Sequence, residues 1–446
     1  MTDRSLAVIV LAAGKGTRMR SALPKVLHKV AGRSMIGHVV AAAEALGADP
    51  VVVVVAPGMD SVAAAVKPHP VAVQTEQNGT ADAVKAAREP LAGFAGDVLI
   101  LYGDCPLIQA DTLARMRQER QDEAVTVLGI RVRGVSPYGR LVLSADGTLE
   151  RIVEALDATE AERRIDLCNS GVMLIDGARL FVLLDAIGNS NAKGEYYLTD
   201  IVAVARNAGL SCRVVEAPAQ EALGVNSRAE LSVAEVTMQT RLRRKAMENG
   251  ATLIDPKSVW FAFDTALGSD VTVEPNVVFG PGVTVGDGVE IRAFCHIEKA
   301  TIETGAIIGP YARLRPGASI GEGAHIGNFV EIKNARIDKG AKANHLSYIG
   351  DADVGAGANI GAGTITCNYD GFSKFRTKIG AGAFIGSDTT LVAPVSVGAG
   401  AFTGAGSTVT EDVPDDALAV ARGRQAVKPG WAAEFRAKQR AAKDKG

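Results

Sequence analysis

Two stretches of the chain concentrate side chains able to handle phosphate and protons. In the first, Leu11-Ala12-Ala13-Gly14-Lys15-Gly16-Thr17-Arg18-Met19 follows an aliphatic run and precedes Pro24-Lys25-Val26-Leu27. A glycine-rich turn after a strand exposes backbone N–H groups that can hold phosphate oxygens. Arg18 and Lys25 add the positive charge that a triphosphate calls for. The turn is not a dinucleotide fingerprint, because Met19 stands where the third glycine belongs, and no Gly-Lys-Ser/Thr closes it as a Walker A loop. Tyr102-Gly103-Asp104 then places a carboxylate at the end of another aliphatic run.

The second stretch centres on His345, in Ala343-Asn344-His345-Leu346-Ser347-Tyr348-Ile349-Gly350-Asp351. Arg315, Lys333, Tyr348, Asn359 and the pair Asn368-Tyr369 lie within the same part of the chain. Imidazole is the side chain that exchanges a proton near neutral pH, and the chain has only six histidines to place. Arg315 and Lys333 are eighteen residues apart, a separation that puts both cations on one face of a triangular coil. Such a face suits a phosphorylated ligand.

The elements that must position these residues are written in two grammars. Residues 1–226 alternate buried-strand runs (Leu6–Leu11, Val51–Val55, Val98–Tyr102, Ala124–Ile130) with helical patterns such as Met35–Leu46 and Thr80–Arg88. That alternation predicts an α/β domain with a mostly parallel sheet. Residues 227–250 read as one charged connecting helix, with Ser227 as N-cap, Glu230 completing a capping box and Gly250 as the stop. From residue 251 to 446, aliphatic residues recur six apart (Val285, Ile291, Ile297; then Ile302, Ile308, Leu314, Ile320), often followed by Gly. A period of six fits neither a helix face nor a flat strand. It predicts a hexapeptide β-helix of roughly ten coils, three hexapeptides to a coil. The repeat breaks at Asn344–Asp351 and Asn368–Thr377, where loops are expected to leave the coil. The tail after Trp431 has little to bury and is expected to fray.

Composition narrows the classes. With 446 residues the chain calls for two or three domains. Lys and Arg number 48 against 50 Asp and Glu, a net charge of -2 that gives nucleic acid no footprint. Five scattered cysteines (Cys105, Cys168, Cys212, Cys295, Cys367) form no CxxC and read as buried thiols. The apolar run Leu6–Ala13 is strand-length and lacks a signal-peptide pattern, so a cytosolic protein without membrane partners is expected.

The string L-A-A-G-x-G-T-R-M followed by P-K resembles the sugar-phosphate nucleotidyltransferases. Read together with the hexapeptide half, residues 5 to 431 are similar to the bacterial bifunctional N-acetylglucosamine-1-phosphate uridylyltransferase/glucosamine-1-phosphate acetyltransferase family. The resemblance implies a Rossmann-like nucleotidyltransferase domain, a connecting helix and a left-handed parallel β-helix, assembled as a homotrimer. It implies Mg²⁺ as cofactor and UTP and acetyl-CoA as co-substrates. By motif, Leu11, Ala12, Ala13, Gly14 and Lys25 would contact UTP, with Lys25 and Arg18 neutralising charge. Gln74, Gly79 and Thr80, in Q-T-E-Q-N-G-T-A, would read the uracil and touch the sugar. Here Asn78 replaces a commonly aliphatic residue, and Ala81-Asp82 replaces a common Gly-His. Tyr102 and Gly103 would line the nucleotide site, Asp104 and Asn226 would hold the metal, and Gly139, Glu154 and Asn169 would bind the N-acetylglucosamine ring. In the second half, Arg315, Lys333, Tyr348 and Asn359 would bind glucosamine-1-phosphate, with His345 as general base. Ala362, Asn368, Tyr369, Ser387, Ala405 and Arg422 would contact acetyl-CoA. Two rival readings are a nucleotidyltransferase with a regulatory solenoid and a scaffold subunit with degenerate sites. The intact N-H-L-S-Y-I-G-D segment opposes the first, and intact Arg18, Lys25, Asp104 and His345 oppose the second.

Overall fold

In the first part of the chain nearly every aliphatic run becomes a strand, because a sheet covered on both faces needs apolar side chains at odd and even positions alike. The computed structural model describes residues 4–134 and 136–444. They form two compact units, divided between Arg244 and Lys245. The first unit has nine main strands: β1 (Leu6–Leu11), β2 (Val51–Val55), β3 (Val71–Val73), β4 (Asp97–Tyr102), β5 (Val125–Arg131), β6 (Arg140–Leu143), β7 (Leu149–Val153), β8 (Leu167–Asp176) and β9 (Cys212–Ala217). The sheet runs β9-β5-β8-β4-β1-β2-β3, with the β6–β7 hairpin attached to β8. Every neighbour pair in that row is parallel except those made by β8.

Alternation along β1 divides the core between the two faces. Ala7 and Ile9 pack with Val52, Val98 and Ile100, while Leu6, Val8 and Val10 pack with Val53, Leu99 and Leu101. Strands β1 and β4 end side by side, Leu11 opposite Tyr102. The loops leaving the carboxyl ends of such strands are where α/β sheets place ligands. The loop after β1 leads to α1 (Met35–Glu44), and the loop after β3 leads to α2 (Thr80–Lys85).

The connecting helix is α3, Arg228–Glu248. Ser227 Oγ accepts from Glu230 N (3.3 Å), as an N-cap should, but the Glu230 carboxylate accepts from Asn226 N (2.7 Å). The expected capping box is therefore shifted by one residue. The helix is also more than a linker. Ala234 is buried in a cluster with Val30, Met35, Leu107 and Val225, and Arg241 donates to Leu107 O (2.5 Å), so the helix belongs to the first unit as far as Arg244.

The second unit is a left-handed parallel β-helix built from three parallel sheets of ten, eight and eight strands. Its ladders join residues one coil apart, as in Thr272 opposite Glu290 and Ile307 opposite His325. One of the two expected loops is present. The segment between strands Ile365–Cys367 and Thr377–Ile379 leaves the coil, and the ladder resumes with Ala352 opposite Thr377. Asn344–Asp351, by contrast, stays in the coil. Asn328 pairs with His345, and Ala343 and Ile349 fill the inward positions, so polarity here marks an outward edge and no excursion. At the tail, Trp431–Lys443 is a helix, α4, with no residue buried. Its alanines, lysines and arginines are good helix formers.

Candidate functional sites

The first site lies at the ends of β1 and β4. Gly16 has φ +60°, and a Cβ there would lie 2.5 Å from Lys25 Cβ, so only glycine lets the turn fold back over Lys25. The Gly103 N–H donates to Leu11 O (2.9 Å), joining the two strand ends. The Val225 N–H donates to Asp104 O (2.9 Å), which brings the segment before α3 against the same spot. Lys25 Nζ consequently reaches both Asp104 Oδ2 (2.5 Å) and Asn226 Oδ1 (2.8 Å). Three residues from distant parts of the chain thus converge.

A cleft of about 310 Å³ opens here, lined by Leu11, Ala12, Ala13, Gly14, Lys25, Gln74, Gly79, Thr80, Tyr102 and Asp104. Its far wall is clamped across the chain: Asn78 O accepts from Tyr196 N (2.8 Å), Ala81 N donates to Tyr196 O (2.9 Å), and Thr80 Oγ1 accepts from Leu198 N (2.9 Å). Gly79, at φ +122°, has no room for a Cβ against Tyr196 O, 2.5 Å away. Arg18 is not brought into this cleft. It is exposed in the single turn Thr17–Met19.

A second hollow of about 430 Å³ shares Thr80 and Tyr102 and is lined further by Glu154, Asn169, Lys193, Glu195, Tyr197 and Thr199. Burial pushes the Glu154 carboxyl up, while Thr199 Oγ1 donates to it (3.0 Å). Gly139 lies behind the wall, its carbonyl accepting from Asn169 N (2.8 Å). Glu195 and Thr199 carried no recognisable signal in the sequence. They come from the segment before the helix Ile201–Asn207, Thr199 in the single turn Leu198–Asp200, which only the fold brings across.

On the solenoid, His345 ends the strand Lys342–His345 of the ten-stranded sheet, and Tyr348 begins the next strand, in a different sheet. His345 Nδ1 lies 2.7 Å from Asn328 Oδ1. An amide oxygen only accepts, so Nδ1 carries the hydrogen and Nε2 is left as the basic nitrogen. Ala362, Ser387, Ala405 and Arg422 follow His345 along the same corner. Gly363 N reaches His345 O (3.4 Å), Asp388 N reaches Ala362 O (2.7 Å), Gly406 N reaches Ser387 O (2.8 Å), and Arg422 Nη1 reaches Ala405 O (2.7 Å).

Arg315 and Lys333 stand at the carboxyl ends of neighbouring strands in the Tyr348 sheet, where Glu331 accepts from Arg315 (2.7 Å). A third cation joins them. The ammonium of Lys374, in the loop between Cys367 and Thr377, pushes the Lys333 pKa down, with Arg315 adding to the effect. Asn368 is turned inward, its amide donating to the Asp351 carboxylate, and Tyr369 is exposed. Asn359 lies in the ten-stranded sheet, so one chain does not gather it onto the face that carries Tyr348 and Lys333. Asn328 was within reach of sequence reasoning, since it precedes His345 by one coil. Lys374 was too, since it lies in the longer interruption of the repeat.

Residues 8–167 match the MobA-like NTP transferase domain, and residues 264–299 and 299–334 match the bacterial transferase hexapeptide repeat. The Bifunctional protein GlmU of Paramagnetospirillum magneticum is 59% identical over 448 residues, covering all of both chains. The chain belongs to the bifunctional GlmU family. The GlmU of Rhodospirillum rubrum is 62% identical over 97% of this chain and 98% of its own, and that of Xanthobacter autotrophicus is 58% identical over 98% of each. Both halves of the GlmU layout are thus present, with the Lys25–Asp104 cleft in the first unit and the His345 corner in the second. Among the described residues, no helix is long and apolar enough to cross a membrane.

Proposed function

We infer that this chain makes UDP-N-acetylglucosamine in two steps, an acetyl transfer on the solenoid followed by a uridylyl transfer in the α/β unit. The observation that carries this reading is the convergence of Lys25, Asp104 and Asn226 at the strand ends of a chain related to GlmU along its whole length. Residues 1–226 are assigned the uridylyl step, 227–250 the connection and 251–446 the acetyl step. The assay that tests it supplies glucosamine-1-phosphate, acetyl-CoA, UTP and Mg²⁺ and follows free thiol and pyrophosphate. Release of either product without the other would reduce the enzyme to a single activity.

In the acetyl step the amine nitrogen of glucosamine-1-phosphate attacks the thioester carbon. The C–N bond forms, the C–S bond breaks, and CoA leaves as the thiolate. His345 Nε2 takes the proton that the nitrogen must shed, and Asn328 holds the ring in the tautomer that leaves Nε2 free. Arg315, Lys333 and Lys374 supply charge for the sugar phosphate, with Tyr348 and Asn359 holding the sugar. Ala362, Asn368, Tyr369, Ser387, Ala405 and Arg422 are assigned to acetyl-CoA, Asn368 through its backbone, since its side chain is committed to Asp351.

In the uridylyl step a phosphate oxygen of N-acetylglucosamine-1-phosphate attacks the α-phosphorus of UTP, and pyrophosphate departs. The attacking group is already an anion, so alignment and charge neutralisation are the protein's tasks. Asp104 and Asn226 fit Mg²⁺, because both oxygens already converge on one cation, the Lys25 ammonium, and a carboxylate with an amide oxygen suits a hard ion that keeps waters. When bound, the ion would neutralise phosphate charge. Lys25 and the backbone from Leu11 to Gly14 hold the triphosphate, and Arg18, exposed in the turn Thr17–Met19, is assigned to neutralising its charge. Gln74, Gly79 and Thr80 face the base, with Tyr102 and Gly103 beneath the nucleotide. Glu154, Asn169 and Gly139 shape the sugar hollow.

A cytoplasmic homotrimer completes the reading. It is supported by Asn359 and Lys333 standing on different sheets, so that a site using both draws one face from each of two copies.

A further inference from the structure

Gln74 is only 5% exposed, yet it lines the nucleotide cleft. Its backbone N–H donates to Val55 O at the end of β2 (2.8 Å), which fixes where the side chain starts. Its Nε2 donates twice, to Gly79 O (3.1 Å) and to Asp82 Oδ2 (2.8 Å). A backbone carbonyl and a carboxylate only accept, so turning the amide over would set its oxygen against two others. A primary amide has two N–H donors, and here both are occupied. Only Oε1 remains for a ligand in the cleft.

We propose that Asp82 is a positioning residue for base selection: by taking the second amide hydrogen, it makes Gln74 a pure acceptor. The proposal rests on the uridylyl reading above. Uracil offers a ring N–H that Oε1 can accept. Cytosine in the same pose offers a ring nitrogen lone pair, which sets two acceptors against each other and leaves both unsatisfied. Without Asp82 only the Gly79 carbonyl holds the amide's orientation, so turning it over to donate to the cytosine nitrogen costs one contact and no longer two. Gly79 cannot replace Asp82, because its carbonyl occupies only one of the two hydrogens.

The test compares kcat/KM for UTP and for CTP, with N-acetylglucosamine-1-phosphate as acceptor, in wild type, Asp82→Ala and Asp82→Asn. The Asp82→Ala enzyme should lose about tenfold of its preference for UTP, the worth of one neutral hydrogen bond, chiefly through improved use of CTP. Asp82→Asn keeps an acceptor oxygen and should hold the wild-type preference. The ratio does not depend on what fraction of each preparation is folded. If Asp82→Ala turns over too slowly to measure, the dissociation constants of UTP and CTP from calorimetry give the same ratio. An unchanged preference in Asp82→Ala, or an equal loss in Asp82→Asn, overturns the proposal while leaving the uridylyl reading intact. A wild-type enzyme that transfers nothing from UTP overturns both.

Discussion

His345 and Asp104 do different work in different units, and their substitution should separate the two reactions. His345→Ala should slow acetyl transfer by about 10²–10⁴-fold, the usual contribution of a placed general base, with uridylyl transfer unaffected. A loss within about threefold, measured by thiol release, would remove His345 from the role. Asp104→Ala should slow pyrophosphate release by roughly 10²-fold or more and spare acetylation. Equal damage to both reactions would point to misfolding. Glu154 adds a pH dependence whose sign follows from its burial. Because desolvation raises its pKa, the carboxyl takes up its proton at a higher pH than an exposed glutamate does. As pH falls through that point, Glu154 ceases to be a full acceptor. KM for N-acetylglucosamine-1-phosphate should therefore rise on the acid side, and Glu154→Gln should flatten that limb of the profile.

Short strands and corners decide what each element presents. The loop between Cys367 and Thr377 brings Lys374 to Lys333, and two ammonium groups held together are relieved when an anion arrives. Lys374→Ala should raise KM for glucosamine-1-phosphate by about tenfold, within the range of charge-assisted hydrogen bonds, with little change in kcat. An unchanged KM would remove Lys374 from the phosphate site. Elements with an inward aliphatic pattern were legible from sequence: β1 and β2 matched residue for residue, and the six-residue period gave the solenoid. What misled was polarity without context. Asn344–Asp351 looked like an excursion because its outward residues are polar, yet Ala343 and Ile349 keep the coil closed. Gln74–Asp82 and Glu154–Thr199 were invisible, since hydrogen bonds between side chains leave no period in a sequence.

At the scale of the whole molecule, the expected homotrimer is open to a direct measurement. Light scattering should give three times the chain mass of 46.3 kDa. A monomer with full acetyltransferase activity would sink the assignment of Asn359 to a site shared between copies. The solenoid also has a direction that bears on how it can be altered. Each coil touches only the coil before and the coil after it, and four of the groups assigned to acetyl-CoA follow the base His345 along one corner, in the order Ala362, Ser387, Ala405, Arg422. That corner is a queue. Shortening the chain from its end dismisses Arg422 first and His345 last, so the grip on the donor is surrendered one rung at a time while the reacting end is still standing.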